Sequence, residues 1–119
     1  MATEISWMLE LNLKPGHEKD FAALMNEMVA ATRANEPGTL SYEWSLSADG
    51  SACHIFERYT DSGAVLTHVG TFGKTFAGRF LDMLTPTRCV IYGSPSQEAR
   101  GALAVLNPVY MQPVGGFNR

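Results

Sequence analysis

Between Ile5 and Leu13 every second residue is apolar (Ile5, Trp7, Leu9, Leu11, Leu13), and the intervening Ser6, Met8, Glu10 and Asn12 are mostly polar. A period of two puts alternate side chains on opposite faces, so this stretch predicts a half-buried strand. Lys14-Pro15-Gly16 reads as a turn. The period then changes. From about His17 to Ala34, Phe21, Leu24, Met25, Met28, Val29 and Thr32 recur at spacings of three and four, the single apolar stripe of a helix. Glu18 and Asp20 fall in its first turn, where negative charge suits the helix dipole. Asn35-Glu36-Pro37-Gly38 ends it, because proline disfavours helical geometry in the residue before it. Glu36-Pro37-Gly38 therefore reads as a structural stop and tight turn.

Alternation returns over Thr39 to Leu46, with Leu40, Tyr42, Trp44 and Leu46 on one face. Ala48-Asp49-Gly50-Ser51 predicts a hairpin turn into a third strand, Ala52 to Thr60, paired antiparallel with the second. Asp61 or Ser62 caps the next helix. There Val65, His68, Val69 and Phe72 share a face, and Gly70 and Gly73 predict a break into two short helices. Phe72, Phe76 and Phe80 continue as an aromatic stripe. Thr85 to Gly93 reads as a fourth strand, Ser96 to Val105 as a short helix with proline at its start, and Val109 to Val114 as a last short strand or arm.

The order β-α-β-β-α-β predicts an α+β, ferredoxin-like split βαβ fold: a four-stranded antiparallel sheet with helices on one face. Residues 1–119 then form one domain, with a C-terminal helix and arm at about 95–119. The uncovered sheet face predicts a homodimer packed sheet to sheet. Composition points the same way. Apolar residues make up 45% and charged residues only 18%, against about 25% charged in typical soluble proteins. Such a shortage of charge suits surface hidden in an oligomer interface or an apolar pocket.

The net charge of −3, without a Lys/Arg cluster, argues against a nucleic-acid partner. No apolar run is long enough to span a membrane. The opening MATEISWMLELNLK alternates and is acidic, so it does not read as a signal peptide, and a cytoplasmic location is expected. Cys53 and Cys89 lie in strand-like runs and read as reduced, buried thiols. His17, His54 and His68 lack zinc- or iron-site spacing, and no glycine-rich nucleotide motif is present, so no metal or cofactor is expected.

Two polar residues sit where the pattern calls for apolar ones. His68 lies on the inward stripe of its helix; Glu57 shares a strand face with Cys53, Ile55 and Tyr59. Each has a structural reading: a packed histidine bonded to a backbone carbonyl, and a carboxylate paired across strands with Arg88. Each also has a chemical one. In an apolar pocket His68 can serve as general base, and Glu57 can orient it or accept a proton itself. Tyr42, Trp44, Phe72 and Phe76 are the candidate substrate-binding residues, although core packing alone explains aromatic residues at such positions.

The segments LKPGHEKDF, NEPGTLSYEW (35–44) and FERYTDSGAVLTH (56–68), in this order and at these separations, are similar to those of the antibiotic biosynthesis monooxygenase family of the dimeric α+β barrel superfamily. The resemblance covers nearly the whole chain. It implies a homodimer with an apolar pocket between sheet and helices of each subunit. Characterised members of that family include oxygenases that hydroxylate polycyclic aromatic phenols or quinols without metal, flavin or haem. Other members degrade haem, isomerise, or have no known activity. Haem degraders carry Asn on the first strand and Trp on the helix after the third strand. Here the first strand offers Leu9, and Trp7 and Trp44 both lie on strands, which argues against haem degradation. The leading expectation is a cofactor-independent monooxygenase acting on a quinol-like or polycyclic aromatic small molecule with O2. The alternatives are a non-catalytic dimeric ligand-binding or stress-related protein, and a cofactor-free isomerase using the same base.

Overall fold

The computed structural model describes residues 3–119. Met1 and Ala2, which open the stretch read above as lacking a signal sequence, lie outside the described residues. The elements are β1 (Ile5–Leu13), α1 (Glu18–Asn35), β2 (Thr39–Leu46), β3 (Ala52–Tyr59), α2 (Ser62–Thr71), α3 (Ala77–Met83), β4 (Leu84–Tyr92), α4 (Gln97–Leu103) and β5 (Val109–Met111). The sheet order is β2-β3-β1-β4-β5. The first four strands pair antiparallel. β5 adds to the edge of β4 in parallel. The expected four-stranded antiparallel sheet is thus corrected to a five-stranded mixed one. The reason is that α4 and a 3₁₀ turn (Ala104–Leu106) form a crossover that brings the chain back alongside β4. No helix among the described residues is long and apolar enough to cross a membrane.

The alternation read in β1 is realised residue by residue: Ile5, Trp7, Leu9, Leu11 and Leu13 are all buried under the helices. Cys53, Ile55, Glu57 and Tyr59 of β3 lie on the same face, and the register sets Glu57 between Trp7 of β1 and Tyr42 of β2. Phe21, Leu24, Met28 and Thr32 form the buried stripe of α1. The opposite sheet face carries Met8 beside Phe56 and Val90, and Val90 beside Val109.

Asp61 caps α2, its carboxylate accepting from Ala64 N at 2.9 Å. The expected division into two short helices near Gly70 and Gly73 is present: α2 ends at Thr71 and α3 begins at Ala77. α2 runs into α3 through a π-helical turn over Phe72–Phe76, where Ala77 N–H bonds back five residues to Phe72 O. The turn absorbs the weak helix formers without unpairing the backbone and shifts the phase of the phenylalanines. Phe72 and Phe80 consequently meet edge to face, centroids 5.0 Å apart, whereas Phe76 packs elsewhere, under the Arg79 guanidinium.

Candidate functional site

A cavity of about 550 Å³ lies between the inner sheet face and the helices. Its deep end is formed by Trp7, Tyr42, Ile55, Glu57 and His68, and Phe72 and Phe80 make one wall. β3 delivers Glu57 because odd-numbered positions face inward; α2 delivers His68 because it falls on the same buried stripe as Val65. Both are almost wholly enclosed, at 4% and 7% exposure.

His68 joins two carboxylates. Its Nδ1 is 2.7 Å from Glu36 Oε1, and its Nε2 is 3.4 Å from Glu57 Oε1. Tyr59 OH donates to Glu57 Oε1, and Thr39 Oγ1 donates to Glu36 Oε1 at 3.2 Å. Tyr42 lies edge-on to the imidazole, centroids 5.1 Å apart. Glu36, itself only 7% exposed, had read as part of a helix stop. Its Pro37-Gly38 sequel explains how it reaches the site. A Cβ on Gly38 would lie 2.7 Å from Ala64 Cβ and 3.2 Å from Thr60 Oγ1, so only glycine lets this turn seat directly on α2. The signal in the sequence was the acidic residue beside the EPG break; what it could not reveal was which helix the turn abuts.

The electrostatics follow from burial. Desolvation raises the Glu57 carboxyl above its usual range, opposed by the His68 charge and by bonds from Tyr59 and Trp7. Desolvation works against a charged His68, but the Glu36 hydrogen bond and the two carboxylate charges outweigh it, and its pKa rises. Burial and the nearby carboxylates push Tyr42 and Tyr59 upward, which keeps both phenols protonated. The cluster thus holds protons tightly in a buried region. Such an arrangement can accept a proton from a bound molecule at the Glu57 carboxylate and return it, with the His68 charge beside it and Glu36 fixing the imidazole orientation. Burial likewise raises Cys89, which lines the cavity, to about 12, so it stays a thiol.

The structure places the remaining candidates unevenly. Tyr42 and Phe72 line the cavity with His68 and Glu57. Trp44 and Phe76 do not: Trp44 is covered by Phe21 of α1 and Phe80 of α3, and its Nε1 is buried without a hydrogen-bond partner among the described residues. The expected pairing of Glu57 with Arg88 is corrected. Arg88 points to the other sheet face, 3.9 Å from Glu10, because neighbouring residues of a strand face opposite ways. Residues that the sequence reading passed over also line the cavity, among them Leu103, Val105, Leu106 and Asn107 after β4. Among the described residues, no group of three or more His, Cys, Asp or Glu side chains is arranged to hold a metal ion.

Comparison with known proteins bears on this geometry. The chain is similar in structure to MupZ from Pseudomonas fluorescens, with a TM-score of 0.82 and 23% identity, over 98% of this chain and 94% of that one. It is similar to Rv0793 from Mycobacterium tuberculosis, with a TM-score of 0.65 and 25% identity, over 79% of this chain and 97% of that one. A putative antibiotic biosynthesis monooxygenase from Caulobacter crescentus aligns with a TM-score of 0.64 and 24% identity, over 75% of this chain and 85% of that one. No curated protein matches the chain. The sequence profile described as antibiotic biosynthesis monooxygenase matches residues 5–73, which run from β1 through α2 and hold Glu36, Tyr42, Glu57 and His68. With more than half its length matched, the chain belongs to the antibiotic biosynthesis monooxygenase family.

Proposed function

We propose that this protein is a cofactor-independent monooxygenase that oxidises a quinol-like or polycyclic aromatic small molecule with O2, working as a homodimer. The observation that carries this reading is the contact between His68 and Glu57 at the closed end of an apolar cavity. An electron-rich phenol bound there gives up a proton to the pair. The resulting anion passes an electron to O2, and the radicals combine at carbon to form a peroxide. Where that carbon carries two hydrogens, loss of water leaves a carbonyl, so CH2 and O2 become C=O and H2O with no external reductant. The protein supplies a base, a cavity that keeps water from the intermediates, and ring orientation by Tyr42 and Phe72. The residues Met8, Phe56 and Tyr92, incompletely covered on the outer sheet face, support the dimer.

The test is oxygen uptake by metal-stripped protein with hydroquinones, naphthols and anthrones, beside Glu57→Gln and His68→Ala. Uptake that collapses in Glu57→Gln while the fold persists supports the reading; uptake unchanged in both variants removes the pair from the chemistry. Glu36 favours a second reading. In the row Glu36–His68–Glu57 a hydrogen bond joins the first two and a 3.4 Å ion-pair contact the last two, an arrangement suited to moving a proton so as to shift a double bond without oxygen. Deuterium exchange from solvent into a bound phenol or enol, with no oxygen consumed, would mark that isomerase.

A further inference from the structure

Exposure along the cavity wall is steeply graded. The polar groups that can do chemistry, Glu57 and His68, are at the buried end. The opposite rim is made by side chains open to solvent, and two of the most prominent are apolar: Val105 at 89% and Leu81 at 48% exposure. The rest of the lining is mainly aliphatic and aromatic, including Leu103, Leu106, Phe80 and Phe72, with Thr87 and Asn107 among its polar members. An apolar side chain as exposed as Val105, lining a cavity, gains burial only when something apolar lies across it.

The rim is also preformed. α4 is tied to α2 through Ser96 N and Ser62 Oγ at 2.8 Å. Arg100 lies over the Tyr110 ring, 4.1 Å from its centroid. Asn107 takes a left-handed conformation (φ 48°), which asparagine tolerates, and turns the chain from the 3₁₀ turn into β5. This wall lies wholly beyond the matched family segment 5–73. About a fifth of the chain likewise lies outside the match to Rv0793, which spans 79% of it.

Resting on the site reading above, we propose that the wall formed by Ala102, Leu103, Val105, Leu106, Asn107 and Leu81 sets substrate class. It selects an elongated, amphipathic molecule whose hydroxylated ring sits at Glu57 and His68 and whose apolar tail leaves across Val105 and Leu81. Compact phenols fill only the deep end. The cavity volume, within the roughly 300–1,000 Å³ range of ligand sites, accommodates a ring and several methylenes.

The experiment is binding rather than turnover. Resorcinol and 4-alkylresorcinols of increasing chain length are titrated under argon, read by tryptophan fluorescence, since Trp7 lines the deep end. Affinity is expected to rise about fourfold per methylene until the tail passes the rim, and then to level off. In a Val105→Ser/Leu81→Ser variant the long members lose about tenfold or more, and resorcinol binds unchanged. Both residues are exposed, so folding is not at stake. A flat series, or a series the variant leaves intact, overturns the inference. Argon separates the two proposals: absent oxygen uptake in air leaves the binding result standing, and a flat series beside normal uptake sinks only this inference.

Discussion

Two charged clusters in this protein look alike on paper and differ in consequence. Arg79 and Glu27 join α3 to α1 through a two-pronged pair at 2.9 and 2.7 Å, both side chains half exposed. Glu36, His68 and Glu57 join the turn after α1, α2 and β3 with less regular distances, yet all three are buried. The first has nearly ideal geometry and little leverage, because water and salt screen it. The second gains leverage from enclosure: every unit of charge left unbalanced there has no solvent to turn to. Location in the fold, more than bond length, separates an ornamental ion pair from one that can carry chemistry.

The comparison breaks most directly at the buried cluster. Glu57→Gln is expected to lower oxygen uptake with a responsive phenol by about 10²–10⁴-fold, the usual worth of a general base, while the urea midpoint holds or rises as a buried carboxylate disappears. His68→Ala should cost about 3–5 kcal/mol of folding stability near neutral pH, since it strands two buried carboxylates. Urea unfolding checks this, and a loss under about 1 kcal/mol would show that the carboxylates escape by other means. Gly38→Ala, which drives a Cβ into Ala64, should cost about 1–3 kcal/mol and shift the His68 ring resonances by moving Glu36 away.

A finer test uses pH. Folding raises the pKa of His68 from 6.5 and of Glu57 from 4.5. In each case the folded state holds the proton more tightly. That contribution is fully present below the unfolded value and is lost as pH rises through the folded one. The stability of the parent relative to a His68→Gln/Glu57→Gln variant should therefore fall as pH rises past 4.5 and then past 6.5, the ordinary values of Glu57 and His68; a rise with pH there contradicts the assigned directions. The smallest effect belongs to the exposed pair. Arg79→Ala should leave the urea midpoint within error of the parent, in low or high salt.

Most of the architecture was legible. β1 and β3 follow from alternation, β2 does so only beyond the register shift at its start, which leaves Leu40 exposed, and α1 follows from its three-four stripe. β5 was read only as a strand or arm, because three residues carry too little pattern to name a partner strand. The division near Gly70 and Gly73 into two short helices was legible, but not its form, a π turn that joins α2 to α3. Within the site, His68 and Glu57 stood out as polar residues at apolar positions, and they do meet. Glu36 did not stand out: a charged residue beside Pro-Gly at a helix end looks like any solvated turn.

Local chemistry, written in order along the chain, decided which side chains face inward, where helices stop, and that two ionisable groups would be buried. Those outcomes depend on period, propensity and turn type, which act over a few residues. Only the tertiary structure decided that the turn at Gly38 lies on α2 and brings Glu36 to His68. The same holds for Phe76 and Trp44 missing the cavity and for a C-terminal segment forming its rim. Those are matters of which surfaces meet, and packing between elements distant in sequence sets them.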